Sequence, residues 1–157
     1  MSEQAIVDTS VLIALEKIGT VNILCQIYSS IVLPEAVISE FGPPPIDCYL
    51  VEKVNSPMVR LLTRDLNLGK GEAESIALAS ERGLNLVLDD LKARKIAETL
   101  DLRITGTIGV LLKAENMTFI KSAYDKTIEL RDKGFYVSDK LLEEISRFKA
   151  SDTNSNP

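Results

Sequence analysis

Hydrophobic positions along this chain follow two rhythms. Short, mostly apolar runs at residues 5–7, 31–33, 84–88 and 102–105 are each bounded by polar or turn-forming residues. Such runs suit strands buried inside a parallel sheet. Between them, apolar residues recur at helical intervals. Val11, Leu12, Ala14 and Leu15 form one set that closes at Gly19; Ala93, Ile96, Ala97 and Leu100 form another. This alternation predicts a three-layer α/β/α sandwich around a mostly parallel central sheet.

The remaining pattern fills in the order. A short helix is expected over 21–28. Pro34 ends the second strand and suits the first turn of a helix with Val37, Ile38 and Phe41 as its apolar set. After the break at 42–45, an amphipathic helix is expected over 46–55 and an extended stretch over 57–62. Later helices are expected through Val110–Ala114, over 119–132 and over 139–148, with a strand or turn at 134–138. Residues 1–149 form one domain in this reading, and the polar segment 150–157 a disordered tail.

The densest stretch is residues 69–94, a helix, a turn at Gly83 and a strand running into Asp89 and Asp90. Ala73, Ile76, Ala77 and Ser80 make a small, close-packing helical face, with Glu72 at its edge beside Ile76. Glu74 and Glu81 fall on the far side, where water is expected.

Composition narrows the chemistry. The 157 residues contain no histidine, which removes serine–histidine and cysteine–histidine catalysis and histidine-ligated zinc. Catalysis must then rest on carboxylates, lysines, hydroxyls, backbone amides or a metal. Cys25 and Cys48 are widely separated, and both are expected to be reduced. The chain enters a strand at once, without the features of a signal peptide, and no apolar run suits a membrane span; a cytoplasmic protein is expected. A net charge of −5 argues against coating nucleic acid through the overall field, but leaves room for a local basic strip.

Acids stand at telling places. Asp8 ends the first strand, and Asp89-Asp90 end the strand of the densest stretch. Glu72 opens a helix, while Glu40 closes one, against the helix dipole. The plain alternatives are a capping Asp8, a Glu72 that serves the dipole, and a solvated Glu40 at a frayed end. Glu72 belongs to a helix antiparallel to the strands, so it is expected at the opposite sheet edge unless a long approach through 61–70 redirects it. If the carboxylates converge, they need a cation between them, and oxygen-only ligands favour Mg2+ or Mn2+. Such a cluster suits phosphodiester hydrolysis.

On these residues the chain resembles a PIN-domain nuclease over nearly its whole length. IVDTSVLIAL resembles the first acidic motif, with Asp8 as its aspartate and Ser10 as its hydroxyl. LPEAVISEF resembles the second, with Glu40, and GEAESIALA the third, with Glu72. LVLDDLKAR resembles the fourth, with Asp90 as ligand and Asp89 as its neighbour. Any one motif is weak; four in order and spacing are specific. The resemblance implies a PIN-like sandwich whose acids meet in one cleft. It also implies a Mg2+- or Mn2+-dependent endoribonuclease acting on RNA and frequent homodimers. In many such proteins the role is that of a toxin inhibited by a small antitoxin protein. Asp8, Glu40, Glu72 and Asp90 would hold the metal, with Asp89 as the other candidate and Ser10 orienting Asp8. Lys92 and Arg94 are placed to meet phosphate or surface acids.

Other classes fit less well. An aspartyl-nucleophile phosphatase needs a second aspartate where Ser10 stands, and LGKGEAES is not a P-loop. The alternative of a different kind is a PIN-like module that binds RNA or protein without cutting.

Overall fold

The computed structural model describes residues 3–155 in their backbone and the side chains of 3–148. Its elements are β1 (Ala5–Val7), α1 (Thr9–Lys17), α2 (Ile23–Ile27), β2 (Ile31–Pro34), α3 (Glu35–Phe41), β3 (Tyr49–Glu52) and α4 (Pro57–Arg64). They continue with α5 (Lys70–Arg82), β4 (Asn85–Val87), α6 (Leu91–Thr99), β5 (Ile104–Thr105), α7 (Thr107–Asn116), α8 (Ala123–Asp132) and α9 (Asp139–Ser155). The five strands form one sheet in the order β3-β2-β1-β4-β5, and every pair is parallel.

Successive strand side chains point to opposite faces, and the two cores divide accordingly. Val7, Leu33 and Val87 pack with Leu12, Leu24, Leu111 and Leu130 on one face. Ile6, Val32, Leu86 and Leu88 pack with Leu62, Ile76 and Ala93 on the other. Helices α1, α2, α7 and α8 therefore cover one side, and α4, α5 and α6 the other. This is the expected three-layer sandwich. Fully burying each large aliphatic side chain contributes about 1.5–3 kcal/mol, so both layers are strongly held to the sheet.

Several local expectations are corrected. Where an amphipathic helix was expected over 46–55, the chain forms β3, pairing Ile31 with Tyr49 through Pro34 with Glu52. An otherwise unpaired β2 edge offers those residues a ladder of hydrogen bonds, and tertiary pairing overrides the helical pattern. Where 57–62 was expected to be extended, α4 forms instead. Ser56 caps it by accepting from the Met58 N–H at 3.2 Å, and Pro57 sits in its first turn. The helix expected from 119 begins at Ala123, with Ser122 accepting from the Asp125 N–H at 3.0 Å. Of the strand or turn expected at 134–138, the structure forms a turn at Gly134 and no strand among the described residues. Helix α9 runs to Ser155, beyond the expected end at 148, and residues 156–157 of the anticipated tail lie outside the described residues.

The cysteines are a further correction. Cys25 on α2 and Cys48 just before β3 form a disulfide, with Cα atoms 5.7 Å apart. Pairing the edge strand to β2 brings the two residues within bridging reach, which their sequence separation of 23 concealed.

The expected misplacement of Glu72 is corrected by topology. A helix that returns antiparallel to the strands begins at the edge where the strands end. Helix α5 precedes β4, so its first turn stands at the carboxyl edge beside the ends of β1 and β4, and no special approach is required.

Candidate active site

Sheet pairing sets the floor of the site. The Asp8 N–H donates to the Val87 carbonyl at 3.0 Å, carrying the β1–β4 ladder one step past the strand and fixing Asp8 beside the end of β4. In open parallel sheets, ligands gather at this edge. Asp8 is 3% exposed. It occupies the cap position of α1 without a side-chain capping bond of good geometry, although the Thr9 and Ser10 N–H groups lie near its carboxyl. The Ser10 hydroxyl donates to its Oδ2 at 3.2 Å, and Oδ1 is buried without a hydrogen-bond partner. A buried carboxylate oxygen without a partner is costly, and a cation is one group that would satisfy it.

Electrostatics agree with that geometry. Burial, and then the charge of Glu72, push the Asp8 carboxyl from 3.8 up to about 6. The Thr9 and Ser10 N–H groups and the Ser10 hydroxyl oppose the rise. The Glu72 carboxyl is also raised, first by burial and then by the charges of Asp90 and Glu40; the Gly69 N–H and Lys92 oppose this rise. Glu72 thus feels each of the other three acids expected at the site.

Each of those acids is held by donors of its own chain. Glu40 accepts from the Thr9 hydroxyl at 2.7 Å and from the Gly71 N–H at 3.2 Å, joining α3 to the first turns of α1 and α5. Glu72 folds back onto the Gly69 N–H at 3.1 Å, half of a capping box. Asp90 caps α6 through the Ala93 N–H at 2.9 Å. Among the described residues, no group of three or more acids or cysteines is drawn close enough to hold an ion as it stands. The donors are all oxygens, and Asp8 Oδ1 lacks a partner. That set fits a hard cation such as Mg2+ or Mn2+.

The tandem aspartates take different tasks. Asp89 is tied down, accepting from the Thr107 N–H at 2.8 Å and the Thr107 hydroxyl at 2.5 Å, and so caps α7. Asp90 is exposed and contributes to the field at Glu72.

Glu74 corrects the expectation of a solvated surface charge. It is 6% exposed and accepts from the Ala36 N–H at 3.0 Å, satisfying the first turn of α3. Nothing in the helical pattern of α5 alone reveals this, because the partner is the end of another helix. Two basic groups missed in the sequence, Lys53 and Lys70, line an open groove of about 790 Å³ beside Glu40. On the other side, Asp89 and Arg94 border an apolar groove of about 680 Å³ that includes exposed Leu91 and Tyr136.

Among the described residues, no helix is long and apolar enough to cross a membrane. Comparison with family descriptions matches residues 4–151 to the family described as PIN domain. No curated protein and no solved structure matches the chain.

Proposed function

The chain belongs to the PIN-domain family, and on that premise we propose that it is a metal-dependent ribonuclease hydrolysing RNA phosphodiester bonds. The observation that carries this reading is Asp8: buried at the carboxyl edge of the sheet, with Oδ1 unpartnered and its carboxyl raised by that burial and then by Glu72.

Asp8, Glu40, Glu72 and Asp90 would hold Mg2+ or Mn2+. A bound ion of this kind supplies an activated water and steadies the oxygen that leaves. The chain's own residues prepare the place. Ser10 holds one oxygen of Asp8 and leaves the other free. The Thr9 hydroxyl and Gly71 N–H hold Glu40 against the site, and Gly69 holds Glu72. Asp89 stays bound to α7, which supports Asp90 as the ligand of the pair. The role of a toxin, homodimeric and inhibited by a small antitoxin, belongs to the same proposal and rests on family resemblance alone.

The test is cleavage of a panel of structured and single-stranded RNAs with Mg2+, Mn2+ or EDTA, beside Asp8→Asn. Cutting that requires metal and disappears in the variant supports the reading. Cutting that survives EDTA, or persists in Asp8→Asn, would overturn it.

A further inference from the structure

The groove beside Glu40 has a composition the carboxylate cluster does not explain. It is walled by Lys53 after β3, Arg60 on α4 and Lys70 at the start of α5, with the polar groups of Ser39 and Asn55 between them. All three cations are exposed. None stands within 4 Å of a carboxylate in the ion pairs formed among the described residues. The groove also carries three acids: Glu74, held by the Ala36 N–H, Glu40, held by Thr9 and Gly71, and exposed Glu35; none of them pairs with the three cations. Three unpaired cations from three separate elements thus face one open channel, in a chain whose net charge is −5.

We propose that this groove is the binding track for the sugar–phosphate backbone of a single RNA strand, leading it to the acids at Glu40. The identity of the strand as RNA rests on the ribonuclease reading; the groove itself does not. Cations on exposed stems act as point charges for phosphate, while Ser39 and Asn55 offer hydrogen bonds without reading base sequence. The three cations, unpaired with carboxylates, give phosphates fixed points of contact on a protein whose net charge is otherwise unfavourable to a polyanion. Glu40 itself lines the groove, so the track reaches one of the candidate ligands.

Binding is measured apart from cleavage, by fluorescence anisotropy of a short labelled single-stranded RNA in EDTA across a range of KCl. The test variant combines Lys53→Gln, Arg60→Gln and Lys70→Gln. The control combines Lys121→Gln, Lys133→Gln and Lys140→Gln, exposed residues near α8 and α9 that change the net charge equally. The groove variant is expected to bind at least about tenfold more weakly at low salt, with a salt slope shallower by about 2, while the control matches the parent. Equal behaviour of the two variants overturns the track. So does capture of a labelled polyglutamate peptide with no binding of RNA, which would assign the groove to an acidic protein partner. Groove-dependent RNA binding without Mg2+- or Mn2+-dependent cutting would leave the track standing and sink the ribonuclease reading. Cutting by a groove variant that binds like the parent would sink the track alone.

Discussion

Glu74 of α5 accepts the backbone N–H of Ala36, in the first turn of α3, at 3.0 Å. The two helices carry Glu72 and Glu40, so this bond helps couple the elements that present two of the four candidate ligands. Glu74→Ala would leave a buried N–H without a partner and is expected to cost about 1–3 kcal/mol. Glu74→Gln retains an acceptor and should cost less than half as much. Urea denaturation of the two variants checks the ordering; equal losses would mean that the hydrogen bond is not the reason for this residue.

Gly71 leaves just enough room for Glu40. A Cβ at Gly71 would stand 2.8 Å from Glu40 Oε1, closer than real side chains approach. The clash is with the end of a flexible side chain, and alanine is the better helix former by up to about 1 kcal/mol. Gly71→Ala is therefore expected to keep or slightly raise stability while displacing Glu40. Calorimetry with Mn2+ should show affinity reduced several-fold; unchanged affinity would remove Glu40 from the ligand set.

Asp8 gives a pH dependence whose sign is fixed by its raised carboxyl. The folded chain holds this proton more tightly than the unfolded chain. Its contribution is complete below the unfolded value of 3.8 and is lost as pH rises through about 6. The shift corresponds to at most about 3 kcal/mol. In EDTA, Asp8→Asn should therefore be more stable than the parent at pH 8 and no more stable at pH 4. Cation affinity in the parent should fall as pH drops below about 6, because proton and cation compete for the carboxylate. A pH-independent difference between the two proteins would contradict the burial of a titrating Asp8.

Asp89 and Asp90 should separate by mutation. Asp89→Ala removes both bonds to Thr107 and is expected to lower stability by about 2 kcal/mol, with cation affinity near that of the parent. Asp90→Asn keeps an oxygen for the Ala93 N–H and should leave stability within about 0.5 kcal/mol. Its cation affinity should drop at least about tenfold. The reverse pattern in paired denaturation and calorimetry would exchange the two roles.

The layered fold was legible because alternating apolar runs record burial directly: Ile6 and Val7 sit in separate cores on opposite faces of one strand. Asp8 was legible because a strand end carries its own signal. What stayed hidden depended on distant partners. The segment at 49–52 became a strand only because β2 offered an edge, and Cys48 met Cys25 through the same pairing. Glu74 looked solvated because helical periodicity places a residue relative to its own helix, not to the end of α3. The Ser56-Pro57 start of α4 was readable, and its capping chemistry was overlooked. The expected misplacement of Glu72 was an error of direction, since a returning helix starts where the strands finish.

The strand order β3-β2-β1-β4-β5 puts β1 at the centre of the sheet. One flank of β1 is closed by β2, soon after it leaves the ribosome; the other waits for β4, more than half a chain later. Asp8 draws its backbone partner from Val87, and Asp90 lies just beyond. No emerging fragment that ends before β4 can assemble the cluster of acids. If the chain cuts RNA as proposed, a growing copy would stay inert toward the message and the ribosome that are making it until its sheet is complete.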